Sequence, residues 1–274
     1  MADSVLEARD LRRTFNPGTV NEVRALQGVD LDLEPGAFVI VLGTNGSGKS
    51  TLLNAVAGTF PVDEGSIRIG GTNVTRWPEH RRASLIGRVF QNPFTGTAPR
   101  LTVAENLALS MRRGHVGGLG RALPVGRLRE IRDRVSELGM GLEDRLNTQI
   151  GQLSGGQRQA LTLLMATIVR PELLLLDEHT AALDPRSAEQ VLRITQQVVS
   201  RDRLTTLMVT HAMPQATRFG DRVIMMHRGR IAIEFSGTRK RSLRVDDLLD
   251  RFDQLRAAEL LDESAAGMLR RAYV

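Results

Sequence analysis

The segment Gly43-Thr44-Asn45-Gly46-Ser47-Gly48-Lys49-Ser50-Thr51 sets three glycines before an ammonium and two adjacent hydroxyls. Without Cβ atoms, Gly43, Gly46 and Gly48 let the backbone wrap with its N–H groups turned inward at an anion, and Thr44, Asn45 and Ser47 extend that wrap. In such a loop Lys49 reaches the β- and γ-phosphates of a nucleotide, the Ser50 hydroxyl ligates Mg²⁺, and Thr51 donates to the α-phosphate. The lysine is informative in itself. Of 37 basic side chains only Lys49 and Lys240 are lysines, the rest being arginine. A compact charge on a thin stem fits a narrow loop that a planar guanidinium fork would crowd.

Two further segments carry chemistry. Leu173-Leu174-Leu175-Leu176 runs into Asp177-Glu178, the pattern of a strand buried on both faces of a parallel sheet with acids at its carboxyl end. There Asp177 would hold Mg²⁺ and Glu178 would polarise an attacking water. Neighbouring strand residues point to opposite faces, so the two acids can divide this work only where the strand ends. Leu153-Ser154-Gly155-Gly156-Gln157 places a good N-cap and two glycines before a segment that is apolar at helical intervals as far as Val169. A helix start of that kind makes a second anion-binding surface.

Elements must position these groups. Phe38 to Leu42 reads as a short buried strand and Ser50 to Ala57 as a helix, so the phosphate loop sits between strand and helix, facing the positive end of the helix dipole. Thr102-Val103-Ala104-Glu105 is a capping box opening another helix through Leu109. Gly114-His115-Val116-Gly117-Gly118-Leu119-Gly120 reads as a mobile connection. From Ser242 onward, Leu243, Val245, Leu248, Leu249, Phe252 and Leu255 recur at helical spacing, as in a packed helix or a partner contact.

Composition narrows the class. At 274 residues the chain can bury a large core, and with no cysteine it has neither disulfides nor thiolate metal sites. The N-terminus is charged where a signal peptide is apolar, which predicts a cytoplasmic protein, and no apolar run approaches the roughly 20 residues of a membrane span. A net charge of +6 comes from arginines interleaved with 31 acids, which reads as a mixed solvated surface and predicts no nucleic-acid partner.

Together the motifs resemble the ATPase subunit of an ABC transporter. In that family Gly43 to Thr51 is the Walker A loop, Leu173 to Glu178 is Walker B with the catalytic glutamate, and Leu153 to Gln157 is the signature motif. The resemblance makes Gln91 the Q-loop glutamine, which senses Mg²⁺ and the transmembrane partner, and His211 the switch histidine that contacts the γ-phosphate. It places Asp184 in the D-loop and makes Phe15 similar to the aromatic residue on which adenine stacks. One position departs from the family: His179 stands where proline commonly follows the glutamate, and it could shift the pKa of Glu178 or bond across a dimer.

The fold this implies is an α/β P-loop NTPase core with an antiparallel β subdomain, a helical signature subdomain and a short C-terminal helical extension. Residues 1–241 would form one ATPase domain with the helical part at about 94–157, and 242–274 the extension; the N-terminal stretch and Gly65 to Val89 would supply the antiparallel strands. Because the family's signature completes the ATP site of another subunit, and each motif occurs once, the resemblance implies a head-to-tail dimer binding two ATP with Mg²⁺. It implies membrane permease subunits encoded elsewhere, a periplasmic or lipid-anchored solute-binding protein, a position on the cytoplasmic face of the inner membrane, and import of an amino acid or similar small polar solute. The competing class is a soluble ABC ATPase, such as one serving iron–sulfur assembly.

Overall fold

The computed structural model describes residues 4–114, 125–255 and 257. Most of the proposed connection at Gly114 to Gly120, and the extension beyond residue 257, lie outside the described residues.

Two sheets form the frame. The first is antiparallel, with β1 (Leu6–Phe15) between β2 (Val23–Leu33) and β4 (Glu64–Ile69), and the short β5 (Thr72–Asn73) outside β4. The second runs in the order β10-β9-β3-β8-β7-β6, from β10 (Arg230–Ser236) and β9 (Arg222–His227) through β3 (Phe38–Gly43), β8 (Thr206–Val209) and β7 (Leu173–Asp177) to β6 (Ile86–Val89). β9, β3, β8, β7 and β6 are parallel, and β10 closes the edge antiparallel. The span from Gly65 to Val89 is therefore divided: β4 and β5 join the antiparallel sheet, whereas β6 pairs with β7 in the parallel one. Ile86, Gly87 and Val89 of β6 are all buried, which suits a strand covered on both faces, whereas β1 and β4 of the antiparallel sheet leave several residues exposed.

Strand alternation divides the core in two. Val39 and Val41 of β3, Leu173 and Leu175 of β7, and Leu207 and Val209 of β8 pack toward the antiparallel sheet and helix α1 (Lys49–Ala57). Ile40, Leu42, Leu174, Leu176 and Met208 face the other way, onto the remaining helices. Each of these eleven side chains is essentially fully enclosed, and full burial of such a residue contributes roughly 1.5–3 kcal/mol.

The second layer is mainly helical. It includes α3 (Val103–Ser110), α4 (Val125–Ser136), α5 (Gly155–Thr167), α6 (Pro185–Asp202) and α7 (Met213–Arg218), whereas the four-residue α2 (Glu79–Arg82) precedes β6 and α8 (Gly237–Arg241) follows β10. The capping box at α3 is present in full: Glu105 N donates to Thr102 Oγ1 at 3.2 Å and Thr102 N to Glu105 Oε2 at 2.7 Å. Residues 245–255 form a last helix, α9, held to the core by Leu248, which is fully enclosed, with Phe252 and Leu255 packed beside it. Leu249 departs from the apolar pattern and is 45% exposed.

Candidate nucleotide site

Four adjacent strands deliver the site. β3 ends at Gly43, β8 is followed by Thr210 and His211, β7 ends at Asp177, and β6 is followed by Phe90 and Gln91. Register aligns these ends: Val41 pairs with Val209, Val209 with Asp177, and Leu176 with Val89. Strands about 4.8 Å apart thus bring segments distant in sequence to one edge of the sheet.

The loop between β3 and α1 depends on glycine. Gly48 has φ 103°, and a Cβ there would lie 2.5 Å from the carbonyl oxygen of Ala25; one on Gly43 would lie 2.6 Å from that of Met226 and collide with Ser47 Oγ. Gly48 is the N-cap of α1 and brings no side chain, so the first-turn N–H groups of the helix keep their orphan donors for an outside acceptor. The Lys49 ammonium, 5% exposed, donates to the carbonyls of Gly43 and Thr44 at 2.9 Å each. Burial depresses its pKa, and the charges of Glu178 and Asp177 oppose that shift.

A pocket of about 350 Å³ opens over this loop, lined by Asn45, Gly46, Gly48, Lys49, Ser50 and Thr51, with Glu178 on one side and Phe15 beyond. Phe15 is the last residue of β1, and its ring meets Phe60 edge-on at 5.4 Å. This is a flat apolar wall beside an anion cradle. Orphan N–H groups, an ammonium and an aromatic wall fit a nucleoside polyphosphate. The oxygen donors Ser50, Asp177 and Gln91 fit Mg²⁺. Among the described residues no three His, Cys, Asp or Glu side chains cluster as a metal site, so phosphate oxygens and water would have to complete the ion's shell.

The two acids part where β7 ends. Asp177 is its last residue, while Glu178 has φ 42°, a left-handed conformation that turns the chain. Glu178 Oε2 then lies 3.0 Å from His211 Nδ1, and its N–H donates to Val209 at 3.0 Å. Burial raises the pKa of Asp177, opposed first by Arg88. Gln91 is exposed just beyond β6.

Sequence reasoning missed Arg88. Its guanidinium, 12% exposed, reaches Asn54 Oδ1 of α1 at 2.5 Å, Glu79 Oε1 at 3.2 Å and Asp177 Oδ2 at 3.8 Å, and it lies over the Phe90 ring. The signal available was a single arginine inside the short strand Ile86-Gly87-Arg88-Val89, where a charge needs partners.

His179 is fully enclosed, and its Nε2 meets Thr195 Oγ1 at 3.0 Å. Because Thr195 Oγ1 donates its own proton to Val191, the ring must be the Nε2–H donor. Burial lowers its pKa to about 4, so it is neutral near pH 7. A bond across a dimer is ruled out for this ring, since the fold covers it.

The signature residues lie elsewhere. Ser154 caps α5 in a second complete capping box, accepting from Gln157 N at 3.2 Å while Ser154 N donates to Gln157 Oε1 at 3.3 Å. Gly155 is exposed, and Gly156 packs so tightly that a Cβ would lie 2.9 Å from Ser187. None of these four lines the pocket over Lys49. Asp184 caps α6, its carboxylate accepting from the backbone of Arg186 and Ser187 at 3.1 Å, which accounts for its residue type locally.

Residues 26–181 match the family model described as ABC transporter. The chain belongs to the ABC transporter family. It is 38% identical over 251 residues to a tyrosine transport ATP-binding protein of Clostridioides difficile, spanning 91% of this chain and 99% of that protein. It is 35% identical over 233 residues to a methionine import ATP-binding protein of Brucella abortus, covering 84% of this chain and 59% of that longer relative. Among solved structures, a dimeric ATP-binding cassette in a post-hydrolysis state with ADP and Pi superposes with a TM-score of 0.71 at 28% identity, covering 84% of this chain and 98% of that one. This ABC ATPase therefore has the P-loop α/β fold with its antiparallel and helical parts, and it binds and hydrolyses ATP.

Proposed function

We propose that this ATPase is the energising subunit of an importer with separate membrane permeases, working as a head-to-tail dimer on an amino acid or similar small polar solute. The observation that carries the dimer is the separation within one chain: the loop of Lys49, Asp177, Glu178 and His211 share one edge of the sheet, while the exposed start of α5 at Ser154 and Gly155 is absent from that pocket. In this reading a second copy supplies it. The tyrosine and methionine transport relatives support the choice of cargo. No helix among the described residues is long and apolar enough to cross a membrane. In this reading the chain attaches peripherally to its permeases at the cytoplasmic face of the inner membrane, and a periplasmic or lipid-anchored solute-binding protein delivers the cargo.

In this reading the adenine lies against Phe15, and the phosphates take the N–H groups of Thr44 to Thr51 and the Lys49 ammonium, which leaves the carbonyls of Gly43 and Thr44. Glu178 accepts the proton of the attacking water. His211, 3.0 Å from Glu178, aligns that carboxylate and meets the γ-phosphate. Ser50, Asp177 and Gln91 would hold Mg²⁺, which supplies charge neutralisation between the phosphates when bound. Asp184 and the signature residues Ser154 to Gln157 serve the nucleotide of the partner subunit. A cleft of about 310 Å³ between the Phe90 to Gly96 segment and α5, walled by Arg88, Phe90, Thr95 and Met165, is the place for a permease segment.

The reading is tested by Glu178→Gln. This variant should hydrolyse ATP at least about a hundredfold more slowly and double its mass in an ATP-dependent manner. A normal rate removes Glu178 as the base. Affinity capture from membranes should recover integral membrane subunits, and recovery of soluble partners alone counts against transport.

A further inference from the structure

The five residues of the Gln91 turn, Phe90 to Phe94, are gripped at both ends by consecutive residues of α5. At one end Gln159 Nε2 donates to the Phe90 carbonyl at 3.1 Å. Gln159 is fully enclosed and its Oε1 has no hydrogen-bond partner. Burying an amide with one half unsatisfied is costly, so the single bond to Phe90 is what distinguishes glutamine from an apolar residue of similar volume here. At the other end the Arg158 guanidinium lies 3.7 Å from the centroid of the Phe94 ring. That guanidinium is itself held flat: it donates to the carbonyls of Ile150, Gly151 and Leu153 at 2.9–3.2 Å, in the turn that leads into Ser154. The segment is also braced internally, with Phe94 N donating to Asn92 Oδ1 at 2.9 Å and, just beyond the second grip, Thr95 N to the Asn92 carbonyl at 3.0 Å.

Phe94 is 48% exposed, although it is a large apolar ring. A ring left half in water and laid over a buried cation holds that cation from its open side. The same guanidinium therefore touches the approach to the signature and the far end of the Gln91 turn.

We propose that Phe94, Arg158 and Gln159 are positioning residues that clamp the Gln91 turn to the first turns of α5, so that the turn and the signature start move as one body. The idea rests on the dimer reading above and deepens it. Occupancy of a chain's own nucleotide site, felt at Gln91, sets the angle at which Ser154 and Gly155 meet the nucleotide of the partner subunit. The clamp has no part in binding the chain's own nucleotide.

The test compares two affinities in the Glu178→Gln background. Phe94→Ala should leave the affinity of the monomer for a fluorescent ATP analogue unchanged, while the dissociation constant of the ATP-bound dimer rises about tenfold. Phe94→Tyr, which keeps the ring, should restore tight dimers. Gln159→Leu should weaken the dimer in the same way; because Gln159 is enclosed, its loss cannot remove a contact with the partner subunit. If Phe94→Ala forms dimers as tightly as its parent, the clamp is wrong and the dimer reading stands. A weak dimer with Phe94→Ala but a normal one with Gln159→Leu also overturns the clamp, making Phe94 a simple contact. A fall in monomer affinity equal to the fall in dimer affinity overturns it as well. Failure of Glu178→Gln itself to dimerise with ATP overturns both readings.

Discussion

At Lys49 the choice of ammonium over guanidinium has a geometric cause. The side chain is almost wholly enclosed and lies across the loop, with its nitrogen 2.9 Å from two carbonyls of that loop. A guanidinium has the same charge but needs a slot several ångströms wide, and the loop backbone is already packed against Ala25 and Met226. Lys49→Arg should therefore lose at least about tenfold in ATP affinity, measured by titration with a fluorescent nucleotide, and an undiminished affinity would falsify the shape argument. Glu178 follows a different logic. Its carboxylate reaches His211 because the backbone turns left-handed at φ 42°, a conformation that costs a non-glycine residue on the order of 1–3 kcal/mol. The carboxylate pattern in the sequence pointed to both acids, but that turn, which separates Asp177 from Glu178, is a property of the folded strand end.

At the scale of elements, the last helix shows how a periodic pattern can be right about the helix and wrong about one face. Leu248 is fully enclosed against the core, whereas Leu249, next to it, looks outward into a cleft shared with Gly43, Thr44, Asn45 and His211. Leu248→Ala should cost about 2–5 kcal/mol in chemical denaturation, and Leu249→Ala less than about 0.5 kcal/mol. Equal costs would mean that α9 does not pack as described. Arg82 makes a comparable link between elements. Fully enclosed in α2, it donates to the carbonyls of Ala55 and Val56 at 2.8 Å, satisfying the C-terminal end of α1, and to those of Thr75 and Trp77. Burial lowers its pKa to about 10, which leaves it charged near pH 7 and suited to the negative end of that helix.

At the scale of the molecule, the proposed head-to-tail dimer divides each site between surfaces that one chain cannot bring together. Two inactive variants should complement each other. Lys49→Ala lacks the ammonium of the phosphate loop but keeps the signature; Ser154→Arg keeps the loop intact but blocks the signature. Neither should hydrolyse ATP alone, and an equimolar mixture should recover up to about a quarter of the native rate, since half of the dimers are mixed and each has one intact site. A mixture as inactive as its parts, despite the formation of mixed dimers, would count against signatures acting in trans or show that both sites must be intact.

Local chemistry determined much of this protein. Glycine spacing, the N-caps at Thr102 and Ser154 and the apolar runs of β3 and β7 are short-range patterns, and each predicted its element because a cap, a tight loop or a buried strand constrains residue type within a few positions. The motif residues were legible for the same reason, and the resemblance supplied their order. What tertiary structure decided is long-range. Which sheet receives β6, why Arg88 of that strand stands between α1 and Asp177, why His179 is sealed against Thr195, and how Arg158 and Gln159 grip a turn about 65 residues away all depend on strand order and packing. These contacts join residues far apart in the chain, and no local pattern records which distant group will lie beside a side chain once the sheet has formed.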